Sequence, residues 1–126
     1  MASIDWKRVW LAVAGLSGAV AVGFGAYAAH GLEGTPVVQE WLEKASRYQM
    51  YHALALLAVA RLQRPHGRFA WLAGCLFTIG TLLFSGGLYV MALLAWPVTP
   101  VVPFGGVSFI LGWLALTLSA LRDPSI

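Results

Sequence analysis

The sequence predicts an all-α integral membrane protein, an antiparallel bundle of four helices with both termini in the cytoplasm. Three observations carry this. First, the 126 residues are 60% hydrophobic and only 10% charged, with a mean hydropathy of +0.76. A soluble domain carries roughly a quarter charged residues, so this chain has too little polar surface to cover a water-soluble globule. Second, the apolar residues fall in runs that approach or exceed the roughly 20 needed to cross a hydrocarbon core. Third, the basic residues gather at the ends of those runs, more on one side than the other, as loops of a cytoplasmic face do. The length suits a single transmembrane domain, 1–126.

The first span is Val9–Ala29, led by Lys7 and Arg8. Ala26-Tyr27-Ala28 mimics a signal-peptidase site, but the apolar stretch exceeds the usual signal core of about 7–15 residues, so the segment reads as a retained span. Thr35-Pro36 opens the second helix, with Thr35 as N-cap and Pro36 at the first helical position. Residues 36–47 form an amphipathic extension in which Glu40–Lys44 and Glu43–Arg47 stand at the i,i+4 spacing of ion pairs. A solvated, self-paired face is the favoured reading of these four. The second crossing is 48–62. "RLQRPHGR" then breaks the chain with Pro65 and Gly67.

The third span, 69–96, has no charged residue and is longer than a crossing requires. A bend is expected at Ser85-Gly86-Gly87. "WPVTPVVPFGG" follows, and its three prolines rule out a regular helix over 97–105. The fourth span is 106–121. Lys7, Arg8, Arg61, Arg64, Arg68 and Arg122 fall on one side of this arrangement, and Lys44 and Arg47 on the other. The first side is therefore cytoplasmic. Trp10, Trp41, Trp71 and Trp96 stand near the expected interfaces, as in an aromatic belt.

Helical phase then assigns faces. Ala12, Gly15, Ala19, Gly23 and Ala26 share one side of the first helix. Small residues let membrane helices approach closely, so this side is expected to face the bundle, and His30 with it. Trp41, Ala45, Tyr48, His52, Ala55 and Val59 form a stripe on the second helix, away from its charged stripe. Gly74, Thr78, Thr81, Ser85 and Ala92 align on the third, and Ser108 and Gly112 on the fourth. The expected helix-packing residues are thus Gly15, Ala19, Gly23, Thr78, Ser85 and Gly112.

The chemistry-bearing residues are few. The net charge of +3 is explained by loop ends, so nucleic acid is not an expected partner. Cys75 is the lone cysteine. It can form no intrachain disulfide and reads as a small buried hydrophobe. No phosphate-binding glycine loop, no Ser/His/Asp set and no paired intramembrane carboxylates are present. An enzyme is therefore not expected, and no cofactor is called for. The candidate polar cluster is His30 and His52, with Tyr27, Glu33, Tyr48 and Tyr89 within expected reach. Intramembrane ionisable groups are costly and often functional. A pair of neutral imidazoles tying helix ends together is the favoured reading, and a metal, haem or proton-relay role is the alternative.

Four blocks, "GFGAYAAHGL", "ASRYQMYHALALL", "LFSGGLYVM" and "TPVVPFGGVSFILGW", together resemble the YgdD-like family, domain of unknown function 423, of small bacterial inner-membrane proteins. Human transmembrane protein 256 is similar more distantly. Ala29-His30 keeps the end of the family's Gly-Ala-His, with Ala28 at the glycine position, and His52 matches the second block's histidine. Gly86-Gly87 stands where the family often has Gly-Ser, and Val101, Val102 and Pro103 are extra in the fourth block. The resemblance implies a four-helix, multi-pass protein of the bacterial inner (plasma) membrane, with no catalytic residues to carry over. The function expected is a non-enzymatic packing or interaction protein for partner proteins or lipids. Its partners would be the bilayer, further copies of itself or a larger membrane complex. A small-solute or ion transporter or channel formed by oligomerisation is the alternative, and a His-ligated metal or haem protein the third.

Overall fold

The computed structural model describes residues 3–31 and 34–122. Among them the chain forms four helical rods and no strand. The first is α1 (Trp6–Ala26), continued by a π turn, Tyr27–Gly31. The second is α2 (Pro36–Leu62). The third is compound: α3 (Arg68–Gly80) passes through a π turn, Thr81–Ser85, into α4 (Gly86–Leu94). A 3-10 turn, Thr99–Val101, leads into the fourth, α5 (Val102–Arg122). Three rods, Trp6–His30, Arg68–Leu94 and Thr99–Arg122, are long and apolar enough to cross a membrane.

Local chemistry sets the boundaries. Asp5 caps α1, its carboxylate accepting from the backbone N–H of Lys7 at 3.1 Å and of Arg8 at 3.4 Å. The Thr35 hydroxyl accepts from Val38 N–H at 3.3 Å, and Pro36 takes the first helical position, where a missing N–H costs nothing. Beyond α2, Gln63 turns extended, and its amide donates to the carbonyls of Arg64 and Gly67, both at 2.9 Å, closing the loop around Pro65. Ala95 ends α4 in the left-handed region, φ 55°. The irregularity expected at 85–87 is the π turn just before Gly86. The expectation of a non-helical 97–105 needs correction. α5 begins at Val102, because Pro103 and the following Phe-Gly-Gly fall in a first turn, where proline is tolerated.

Pairing of rods follows from a few contacts. Trp10 near the start of α1 donates its indole N–H to Gln63 Oε1, just past the end of α2, at 3.0 Å. Gln39 in the first turns of α2 donates to the carbonyl of Ala28, in the π turn after α1, at 3.1 Å. α1 and α2 therefore run in opposite directions. The third rod and α5 interlock at glycines: the Phe77 ring on Gly112 and the Phe109 ring on Gly80, with the backbone of Phe84, in the π turn, on Gly105. A Cβ on Gly112 would stand 2.7 Å from the Phe77 ring, so only glycine fits. Trp10 lies on Gly74 in the same way, where a Cβ would meet the indole at 2.5 Å.

α2 touches every other helix. It is the least apolar rod, yet it carries the longest run of buried positions, Leu42 to Ala60. Its buried polar side chains, Gln49 and His52, thus meet protein rather than surroundings.

Two expectations about α1 are corrected. The row Ala12, Gly15, Ala19, Gly23 and Ala26 faces outward. The buried side is Trp10, Ala14, Ser17 and Ala21, continued by Ala28. Both sides are lined with small residues, so size could not tell them apart. The side that also holds Trp10 and Phe24 buries more apolar area, and it turns inward. Trp10 itself is a core residue rather than a member of an interfacial belt. It is stacked on Trp6 at 5.4 Å. Of the two expected ion pairs, Glu40–Lys44 forms at the 4.0 Å limit, and both side chains are well exposed.

Candidate functional site: a polar seam through the middle of the bundle

Ala45, Gln49 and His52 lie at i, i+4 and i+7 on α2, one face of a helix. Each meets a polar group from another rod. Ser85 Oγ donates to the Ala45 carbonyl at 2.8 Å. Tyr89 donates its hydroxyl to Gln49 Oε1 at 2.6 Å. Trp113 on α5 donates its indole N–H to His52 Nε2 at 3.1 Å. A fourth bond, Ser108 Oγ to the Leu76 carbonyl at 2.7 Å, ties α5 to α3.

His52 is 4% exposed. An indole N–H can only donate, so Nε2 must accept and carries no proton. Nδ1 therefore holds the proton and donates to the Tyr48 carbonyl at 2.6 Å. The ring is neutral and both nitrogens are engaged. It lies flat on Phe109, centroids 3.5 Å apart and planes within 6°. Phe77 and Trp113 close its other sides at 5.4 and 5.8 Å. This is a clamp between α2 and α5 with no nitrogen left for a metal. Among the described residues, no three His, Cys, Asp or Glu side chains converge.

Of the other expected cluster members, Tyr48 stays beside His52, whereas His30, Tyr27 and Tyr89 lie apart from it. His30 is exposed in the π turn after α1 and makes no hydrogen bond, ion pair or ring contact among the described residues. It does share the face of Gly23 and Ala26, but that face points away from His52. Tyr27 is likewise exposed. Tyr48 contributes its carbonyl to His52, while its half-exposed ring packs on Phe84 at 5.0 Å and Tyr51 at 5.6 Å. Tyr89 is buried, stacked on Phe24 at 4.2 Å. Glu33 lies outside the described residues. Of the hydroxyl row on the third rod, Ser85 reaches another helix, whereas Thr78 and Thr81 donate back to Gly74 and Phe77 of their own rod. Cys75 is half-buried.

Sequence reasoning missed Gln49, Gln63, Phe109 and Trp113. A signal existed for some of them. Gln49 stands three residues before His52 on the same face, and Phe109–Trp113 is an i,i+4 aromatic pair able to cradle a ring.

Comparison with known proteins supplies the family. The family model described as "Protein of unknown function (DUF423)" matches residues 24–106. A UPF0382 membrane protein of Haemophilus influenzae is 37% identical over 123 residues, 95% of this chain and 99% of the relative. One from Staphylococcus epidermidis is 40% identical over 119 residues, 91% and 97% of the two chains. The UPF0382 inner membrane protein YgdD of Escherichia coli K12 is 39% identical over 123 residues, 92% of each. No solved structure matches the chain. With a family model covering most of its length, relatives matching end to end and three rods able to span a bilayer, the chain belongs to the DUF423 family and is a multi-pass protein of the inner (plasma) membrane.

Proposed function

We propose that the protein is a non-enzymatic packing protein of the inner membrane. In this reading it is an antiparallel four-helix bundle with both termini cytoplasmic, which joins copies of itself, or a larger membrane complex, through the outward face of α1. The observation that carries this is the exposed row Gly15, Ala19 and Gly23, spaced by four and flanked by Ala12 and Ala26. A Cβ at Gly15 or Gly23 would meet nothing within 4 Å. Membrane helices gain nothing hydrophobic by leaving lipid, so close backbone approach across small residues is what drives their association. The fourth crossing is α2. Leu54 and Leu57 stand exposed on it, at 57% and 46%, as lipid-facing residues do. Both termini and the α2–α3 loop carry the larger share of Lys and Arg, which supports a cytoplasmic placement.

Native mass spectrometry from nanodiscs tests the association. The wild-type chain is expected as an oligomer or with a co-purifying partner, and Gly15→Leu with Ala19→Leu as a folded monomer. A wild-type monomer without a partner at high concentration, or an oligomer indifferent to both leucines, overturns the reading. Thiol labelling of Ile4→Cys and Arg64→Cys in a Cys75→Ser background tests the topology, and both are expected to react from the cytoplasmic side.

A further inference from the structure

Ser17 is 8% exposed, and its hydroxyl is a buried side-chain polar atom with no hydrogen-bond partner among the described residues. It lines a groove of about 410 Å3 between α1, α2 and the third rod, together with Gln49, Thr78, Thr81 and Tyr89. The Gln49 oxygen is taken by Tyr89, while its NH2 group has no partner among the described residues. Thr78 and Thr81 have already spent their protons on backbone carbonyls. The groove thus presents unmet donors, Ser17 Oγ–H and Gln49 Nε2–H, and no charged residue lines it.

An orphaned hydroxyl in a low-dielectric interior is costly, and a partner that accepts hydrogen bonds removes that cost. Such a partner must be neutral, because nothing in the groove balances a charge. Depth narrows it further, on the reading of these rods as membrane spans. Ser17, Gln49 and Thr81 stand near the midpoints of the spans Trp6–His30, Pro36–Leu62 and Arg68–Leu94. At about 1.5 Å per residue, they lie well below the interfacial level where the ester carbonyls of phospholipids sit. An acyl chain reaches this depth but carries no acceptor. The groove also continues. Val20, on its wall, lines a neighbouring apolar hollow of about 400 Å3 with Gly23, Phe24, Tyr27 and Leu93. That is a path for a long apolar tail.

We propose that this groove binds a neutral, membrane-soluble carbonyl compound of the isoprenoid-quinone class. Its ring carbonyl accepts from Ser17 and Gln49, and its tail lies along α1 past Val20 and Phe24. The volume suits a single small-molecule site, apolar with a few placed polar groups.

The test uses the full chain in nanodiscs with decylubiquinone as probe, and decylbenzene, which has the tail but no carbonyl, as control. Binding is read as a shift in thermal midpoint and as a Kd from titration. Ser17→Ala removes a group that holds no structure, so the unliganded variant is expected to be at least as stable as wild type. It should bind decylubiquinone roughly five- to tenfold more weakly, the value of one hydrogen bond. Gln49→Glu, which introduces a charge beside the acceptor, should bind more weakly still. If decylbenzene shifts the midpoint as much as the quinone, or Ser17→Ala binds as tightly as wild type, the proposal fails. It also fails if native mass spectra show phospholipid held in the groove that the quinone does not displace. Repeating the titration on the Gly15→Leu, Ala19→Leu monomer separates this outcome from the association proposed above. Binding there is expected to persist.

Discussion

The His52 clamp makes a quantitative expectation. His52→Phe keeps a planar ring on Phe109 but removes the Trp113 bond and strands an indole N–H. Interhelical hydrogen bonds in membrane proteins average about 0.6 kcal/mol and reach roughly 1.7, so the variant should lose about 1–2 kcal/mol. His52→Ala also loses the flat stack on Phe109, 3.5 Å between centroids. Such a pair is worth about 0.5–1.5 kcal/mol beyond area, and truncation leaves a cavity, so the loss should reach about 2–5 kcal/mol. The decisive number is the coupling between His52→Phe and Trp113→Phe in a double-mutant cycle, expected at about 0.6–1.7 kcal/mol. SDS titration in mixed micelles, followed by far-ultraviolet circular dichroism, measures the four proteins of the cycle and His52→Ala. A coupling within error of zero, or His52→Ala no worse than His52→Phe, would refute the clamp.

The ring-and-glycine seam makes a sharper steric expectation. Gly105→Ala presses a methyl onto the Phe84 backbone, which cannot swing aside as a side chain can. It should destabilise by about 1–3 kcal/mol, whereas Gly15→Ala should leave a monomer's unfolding unchanged. Ser85→Ala removes a bond to the Ala45 carbonyl at 2.8 Å and should cost about 1 kcal/mol in the same titration. Trp10→Phe leaves Gln63 Oε1 without its donor. Proteolysis in the 63–67 loop should then quicken several-fold while helix content stays constant.

A notable feature is the placement of α2. The least apolar helix sits against all the others because it holds groups that lipid cannot satisfy: Gln49 meets Tyr89, and His52 meets Trp113. A chain of this length has few such bonds. They supply direction where apolar packing alone would let helices slide.

Composition and run length determined by themselves that this is a helical membrane protein, because the shortage of charge is a property of the whole chain and survives any arrangement. Local chemistry determined the start of α2, since a Thr-Pro cap needs no distant partner. The inward placement of His52 was also legible, because the charged stripe of α2 marked the opposite side. Which side of α1 turns inward was not. Two rows of small residues compete there, and the choice fell to Trp10 finding Gly74 and Gln63, residues more than 50 positions away. The separation of His30 from His52 follows from that rotation and from depth, since the Ala28 end of α1 stands level with Gln39, which precedes His52 by about 20 Å along α2. The partners of His52 were decided by tertiary structure as well. A ring flat on Phe109 and bonded to Trp113 requires α5 to settle against α3 glycine by glycine, and only the packed bundle sets that register.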